Sequence, residues 1–161
     1  MCDQVLKVYS FQLRPPQPPI YLYLLDVSHA AVETGYLKLF SDVLLEELDK
    51  IPGDGRTQIG VITYDSSVQF YNLAENLNQP HQMVVSDIDD IFLPCPNDLL
   101  VNLNESKRLV IELLEQLPIK FSNTSECNSA LGAALQVNFS MISCFEYIWE
   151  NASILFRLLT R

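Results

Sequence analysis

Hydrophobic and polar positions change rhythm several times along the 161 residues, and each change predicts an element. Residues 20–26, IYLYLLD, are apolar at almost every position and rich in aromatic and branched side chains. A run without alternation predicts a strand covered on both faces. The preceding RPPQPP, 14–19, predicts a stiff extended lead-in, because proline fixes φ and restricts the residue before it. From Ala30 to about Leu48 the period lengthens. Val32, Tyr36, Phe40, Leu44 and Leu48 recur every four residues, Leu37 and Leu45 widen the stripe, and Lys38, Asp42, Glu46 and Asp49 fall between them. That spacing predicts one amphipathic helix, stopped by IPGDG at 51–55.

TQIGVITYD, 57–65, predicts a second buried strand, and SSVQFYNL follows after so tight a turn that the two should pair as an antiparallel hairpin. QMVVSD, 82–87, predicts a further edge strand, and the acidic SDIDDIFLPCP then opens a loop broken by Pro94 and Pro96. A second helix is expected from Asn104 to Leu117. Asn104 would cap it, Glu105 would sit in its first turn, Leu109, Leu113, Leu114 and Leu117 would form its stripe, and Pro118 would end it. A third helix should begin near Ser129 in NSALGAALQ, whose small residues allow close approach to a sheet. The order β–α–β–β–(β)–α–α indicates an α/β layered domain with an antiparallel edge.

Composition narrows the function. A chain that is 48% hydrophobic and 19% charged can bury a core, and at this length it forms one domain. A formal net charge of −10 argues against nucleic acid and anionic lipid as partners. Cys2, Cys95, Cys127 and Cys144 form no C-x-x-C pair, and His29 and His81 are too few for a zinc-ligand set, so free thiols in a reducing compartment are expected. The opening residues lack the apolar core and cleavage pattern of a secretory signal. Four N-x-S/T sequons, at Asn104, Asn123, Asn138 and Asn151, are read as accidents of an Asn- and Ser-rich chain. No nucleophile elbow, phosphate-binding glycine loop or paired Cys/His arrangement is present. An enzyme is therefore not expected, and no cofactor is implied.

One constellation carries chemistry. Asp26 and Ser28 follow the first strand, where ligands gather on such sheets. A strand ending in D-x-S-x-S, completed by a later threonine and a second aspartate, resembles the metal-ion-dependent adhesion site of von Willebrand A domains, whose oxygen ligands suit Mg²⁺. Here Asp26 and Ser28 match, Ala30 stands at the third position, and Ser129 lies about where the loop threonine would come. No second aspartate is available. Asp26, Ser28, Ala30 and Ser129 are thus expected to be a degenerate remnant that holds no metal.

A closer resemblance covers roughly residues 11–136. LRPPQPPIYLYLLDVS, GYLKLFSDVLLEELDKIPGDGRTQIGVITYDSSVQFYNL, MVVSDIDDIFLP, LLVNLNES and SALGAALQ resemble, in order and spacing, the trunk domain of the cargo-selecting subunit of the COPII inner coat. The resemblance implies a von Willebrand A-like, Rossmann-like three-layer fold: a mostly parallel sheet with an antiparallel edge strand, incomplete at its C-terminus. It implies a cytoplasmic protein that binds the GTPase-activating inner-coat subunit, meets the Sar-type GTPase indirectly and recruits sorting signals in cargo tails. Membrane association would be peripheral, through the coat, at endoplasmic reticulum exit sites and on vesicles bound for the Golgi. No interface or cargo-binding residue transfers position by position.

The chain departs from that family where VNFSMISCFEYIWENASILFRLLTR follows ALGAALQ. Three regions are therefore expected: a Pro-rich lead-in at 1–19, a partial trunk domain at 20–136 and a divergent apolar tail at 137–161. Glu146, Glu150, Asn151 and Arg157 interrupt the tail, so it is not read as a membrane span. A half-encoded sheet would leave a central parallel strand with an open edge, and such a chain would aggregate or need a partner to fold. Two functions remain: a truncated coat adaptor acting through protein contacts, or an adhesion-type von Willebrand A module binding Mg²⁺ and an extracellular protein.

Overall fold

A computed structural model describes residues 18–95 and 98–144, with the lead-in before Pro18 and the tail after Cys144 outside the described residues. Its elements are β1 (Ile20–Asp26), α1 (His29–Glu33), α2 (Tyr36–Glu47), a short 3₁₀ turn (Leu48–Lys50), β2 (Gln58–Tyr64), β3 (Val68–Asn72), β4 (His81–Val85), β5 (Val101–Asn102), α3 (Leu103–Lys120) and α4 (Leu131–Cys144).

The strands form one sheet in the order β1-β2-β3-β4, with β5 beside the start of β2. β1 and β2 are parallel from Ile20↔Gln58 to Asp26↔Tyr64. The expected hairpin is present, pairing Ile62↔Phe70 and Tyr64↔Val68 antiparallel. β4 joins β3 antiparallel, and β5 pairs antiparallel with β2. Among the described residues only one pairing is parallel, so the sheet is mixed rather than mostly parallel. The continuous apolar run of β2 is explained by neighbours on both edges and cover on both faces, not by an all-parallel sheet.

Alternation along the strands sorts the core into two clusters. One face carries Leu25, Ile59, Val61 and Tyr71 against Leu37, Leu44, Leu109, Leu113 and Leu117 of α2 and α3. The other carries Leu22, Leu24, Ile62, Tyr64, Phe70 and Val85 against Ala133, Ala134, Val137 and Met141 of α4. Gly60 faces the second cluster at a point of close approach. A Cβ there would lie 2.8 Å from the Leu99 carbonyl oxygen, so no larger residue fits without displacing backbone.

Three expected helices differ in detail. The first divides in two, because Gly35 adopts the left-handed conformation (φ 76) between α1 and α2. Thr34 closes the break, its hydroxyl donating to the Ala31 carbonyl at 2.7 Å. The second begins one residue earlier than expected, and its cap is Asn102 rather than Asn104. The Asn102 side chain accepts from the Asn104 and Glu105 backbone N–H groups. Pro118 lies inside this helix instead of ending it. Proline forfeits one intrahelical hydrogen bond. The buried Phe121 nevertheless anchors the last turn, its N–H reaching the Leu117 carbonyl at 3.2 Å. The third runs from Leu131 to Cys144, burying Val137, Asn138 and Met141.

Candidate functional site

Three loops meet beyond the paired ends of β1 and β2. Val27 N–H donates to the Tyr64 carbonyl at 2.9 Å, carrying the chain out of β1. Asp26 then folds its carboxylate back, its Oδ1 accepting the Ser28 N–H at 2.8 Å. Ser28 is buried and begins α1. The third loop is tied in from both sides. His29 N–H donates to the Glu126 carbonyl at 2.7 Å, and Ala130 N–H donates to the Asp65 carbonyl at 2.6 Å. The fold therefore brings the segment containing Ser129 to the strand ends that carry Asp26 and Ser28. Ser129 itself is exposed, and so is Ala30, whose methyl group offers no ligand atom. Among the described residues, no three His, Cys, Asp or Glu side chains lie close enough to hold a metal ion.

The second strand end is organised by Asp65, which is buried. Its Oδ1 accepts from Ser67 N–H at 2.9 Å, the Ser67 hydroxyl at 3.0 Å and the Gln69 side-chain amide at 2.9 Å. Gln69 in turn accepts from the Thr63 hydroxyl at 2.7 Å, and Thr63 lies 2.9 Å from the Tyr71 hydroxyl. This network satisfies the turn between β2 and β3 internally. Three protein donors converging on one carboxylate oxygen make Asp65 an anchor of that turn.

Tyrosines enclose the same end. The Tyr36 hydroxyl donates to the Asp26 carbonyl. Burial, then the charge of Asp26 and proximity to Tyr64, raise the Tyr36 pKa. Burial, with Asp26 beside it, pushes Tyr64 up to about 12. Burial also raises Tyr71. None of these phenols ionises near neutral pH. Asp26 and Asp65 are identifiable from strand-end position alone. Gln69, Thr63 and Tyr36 are not, since each sits in a run that reads simply as strand or helix.

A second surface lies beside β1. An apolar groove of about 450 Å³ runs between β1 and α2, with Tyr21, Tyr23, Phe40 and Val43 among its walls. Tyr23 and Phe40 meet edge to face with centroids 5.4 Å apart. Among the described residues, β1 has β2 as its one strand neighbour. Cys95 and Cys127 are exposed and unbridged. Of the sequons, Asn104 and Asn123 are exposed, Asn138 is buried and Asn151 lies outside the described residues.

Comparison with known proteins decides what this arrangement belongs to. The model of the Sec23/Sec24 trunk domain family matches residues 16–156. This chain belongs to the Sec23/Sec24 trunk domain family. Human Sec24B, a protein transport protein, is 59% identical over 134 residues, which are 83% of this chain and 11% of Sec24B. Arabidopsis thaliana SEC24 A is 46% identical over 140 residues, 87% of this chain and 14% of that protein. The crystal structure of human Sec24c, a COPII-coat protein, superposes with a TM-score of 0.75 at 31% identity, covering 92% of this chain and 22% of that one. The chain thus spans about an eighth of the length of these full proteins. It is a Sec24-like trunk segment. Among the described residues no helix is long and apolar enough to cross a membrane.

Proposed function

We propose that the chain acts as a partial COPII trunk, contributing to cargo selection and to transport from the endoplasmic reticulum to the Golgi through protein–protein contacts. The observation that carries this reading is the match over residues 16–156 together with the superposition on human Sec24c. Its partner in that role is the GTPase-activating inner-coat subunit, with the Sar-type GTPase reached indirectly and cargo-tail sorting signals as the recognised ligands. Association with the endoplasmic reticulum membrane and with vesicles is peripheral, through the coat, from the cytoplasmic side. Residues 1–19 are a lead-in, 20–136 the partial trunk and 137–161 a divergent extension.

The fold is von Willebrand A-like, and Asp26, Ser28, Ala30 and Ser129 are the remnant of its metal site. Three features support this. Ala30 supplies no oxygen, the Asp26 Oδ1 accepts from the Ser28 backbone, and the Asp65 Oδ1 accepts from Ser67 and Gln69. An adhesion module binding Mg²⁺ would need an oxygen ligand where Ala30 stands.

Co-expression with the GTPase-activating inner-coat subunit, followed by size-exclusion chromatography, tests the coat reading. Co-elution as a soluble complex is expected. Separate elution of two folded proteins contradicts it. A thermal shift on adding Mg²⁺ would favour the adhesion alternative, since a ligand that binds only the native state raises its stability.

A further inference from the structure

We infer that the outer edge of β4, with the turn that follows it, is a docking edge for an extended protein segment in which basic and apolar residues alternate. β4 pairs with β3 residue for residue from Val68↔Val85 to Asn72↔His81, without a bulge. It ends the strand order, so among the described residues no strand lies on its other side. An unpaired edge presents a row of backbone donors and acceptors, and proteins that keep such an edge closed place lysine, proline or a bulge within it. β4, HQMVV, has none of these. Val84 instead, one residue before the end of the strand, keeps 55% of its surface open.

The turn after the strand gives the edge its chemistry. Asp87, Asp89 and Asp90 are all exposed, and the Asp87 carboxylate accepts the backbone N–H groups of Asp89 and Asp90, which holds the turn in shape. Ile88 and Phe92 are exposed beside them. Val84, Ile88 and Phe92 are three of the seven large hydrophobic residues exposed among the described residues. An added strand would satisfy the β4 backbone, set an apolar side chain against Val84, and reach the aspartates with lysine or arginine. Main-chain pairing gives such complexes affinity and alternate side chains give them specificity. The negative turn, on a chain whose net charge is already −10, selects for a cationic partner.

The test titrates the full chain with a short peptide alternating lysine and valine, and with a peptide of the same composition whose lysines and valines form two blocks. Calorimetry and amide hydrogen exchange are the readouts. The alternating peptide should bind and slow exchange at residues 81–85, while the block peptide should bind at least roughly tenfold more weakly. Val84→Lys should abolish the difference, and Asp89→Lys with Asp90→Lys should weaken the alternating peptide and flatten its salt dependence. All three positions are exposed, and unchanged circular dichroism of each variant verifies the fold. Equal binding of both peptides, or protection elsewhere than 81–85, would overturn the inference. So would a concentration-dependent dimer of the chain that Val84→Lys dissolves, because the edge would then belong to a second copy.

Discussion

α3 and α4 lie on opposite faces of the same sheet, and they differ in how well their sequences suit the position. α3 agrees with its surroundings over most of its length, as far as Pro118. Seven of its residues are buried, Asn102 caps it, Glu105 sits in the first turn and Lys120 in the last. Charged residues tie its exposed face to neighbours: Arg108 lies 3.5 Å from Glu112 and donates to the Leu77 and Asn78 carbonyls, and Lys107 pairs with Asp49. α4 has no charged residue at all. It buries Asn138 with neither side-chain amide atom hydrogen-bonded among the described residues, and it exposes Phe139. Two adjacent residues thus face the wrong environments. Local and global preference coincide in α3 and conflict in α4, and such conflict weakens the bias toward one structure beyond its separate costs.

Breaking α3 should have the largest effect. Leu114 is fully buried, and Leu114→Ala is expected to cost about 3 kcal/mol in denaturant unfolding. Next comes the ionisation of Tyr64, on the α4 face, at alkaline pH. The Tyr64 pKa is raised from 10.0 to about 12, so its contribution is intact below pH 10 and is lost as pH climbs through 12. The expected loss is on the order of 2 kcal/mol, and Tyr64→Phe should remove that part of the pH dependence. Repairing α4 should give a gain. Asn138→Ala removes a buried unpaired amide and should stabilise by about 1–2 kcal/mol, seen as a higher melting temperature. Asn102→Ala should cost about 1 kcal/mol through loss of the cap. Phe139→Lys should be smallest, within about 0.5 kcal/mol, and should show chiefly as better solubility.

Much of this was legible in the chain. The two buried strands, the hairpin and the leucine stripe of α3 follow from periodicity, because burial there is set by a regular backbone. β5 was not, since two residues, Val101 and Asn102, carry no periodic signal and pair with β2 only through tertiary packing. The break at Gly35 was hidden because Val32, Tyr36 and Phe40 keep their spacing across it. Pro118 misleads for a different reason: buried Leu117 and Phe121 hold the helix through it. At the strand ends, Asp26 and Ser28 could be placed by position in the chain. The engagement of Asp65 by Gln69 could not, because it depends on the hairpin register that sets Thr63 opposite Gln69.

The central claim is a metal-free trunk that works by protein contact. Isothermal titration of the chain into the GTPase-activating inner-coat subunit, once with Mg²⁺ and once with EDTA, tests it most directly. Binding of equal strength in both conditions is predicted. Absence of binding, or binding that requires Mg²⁺, would contradict it.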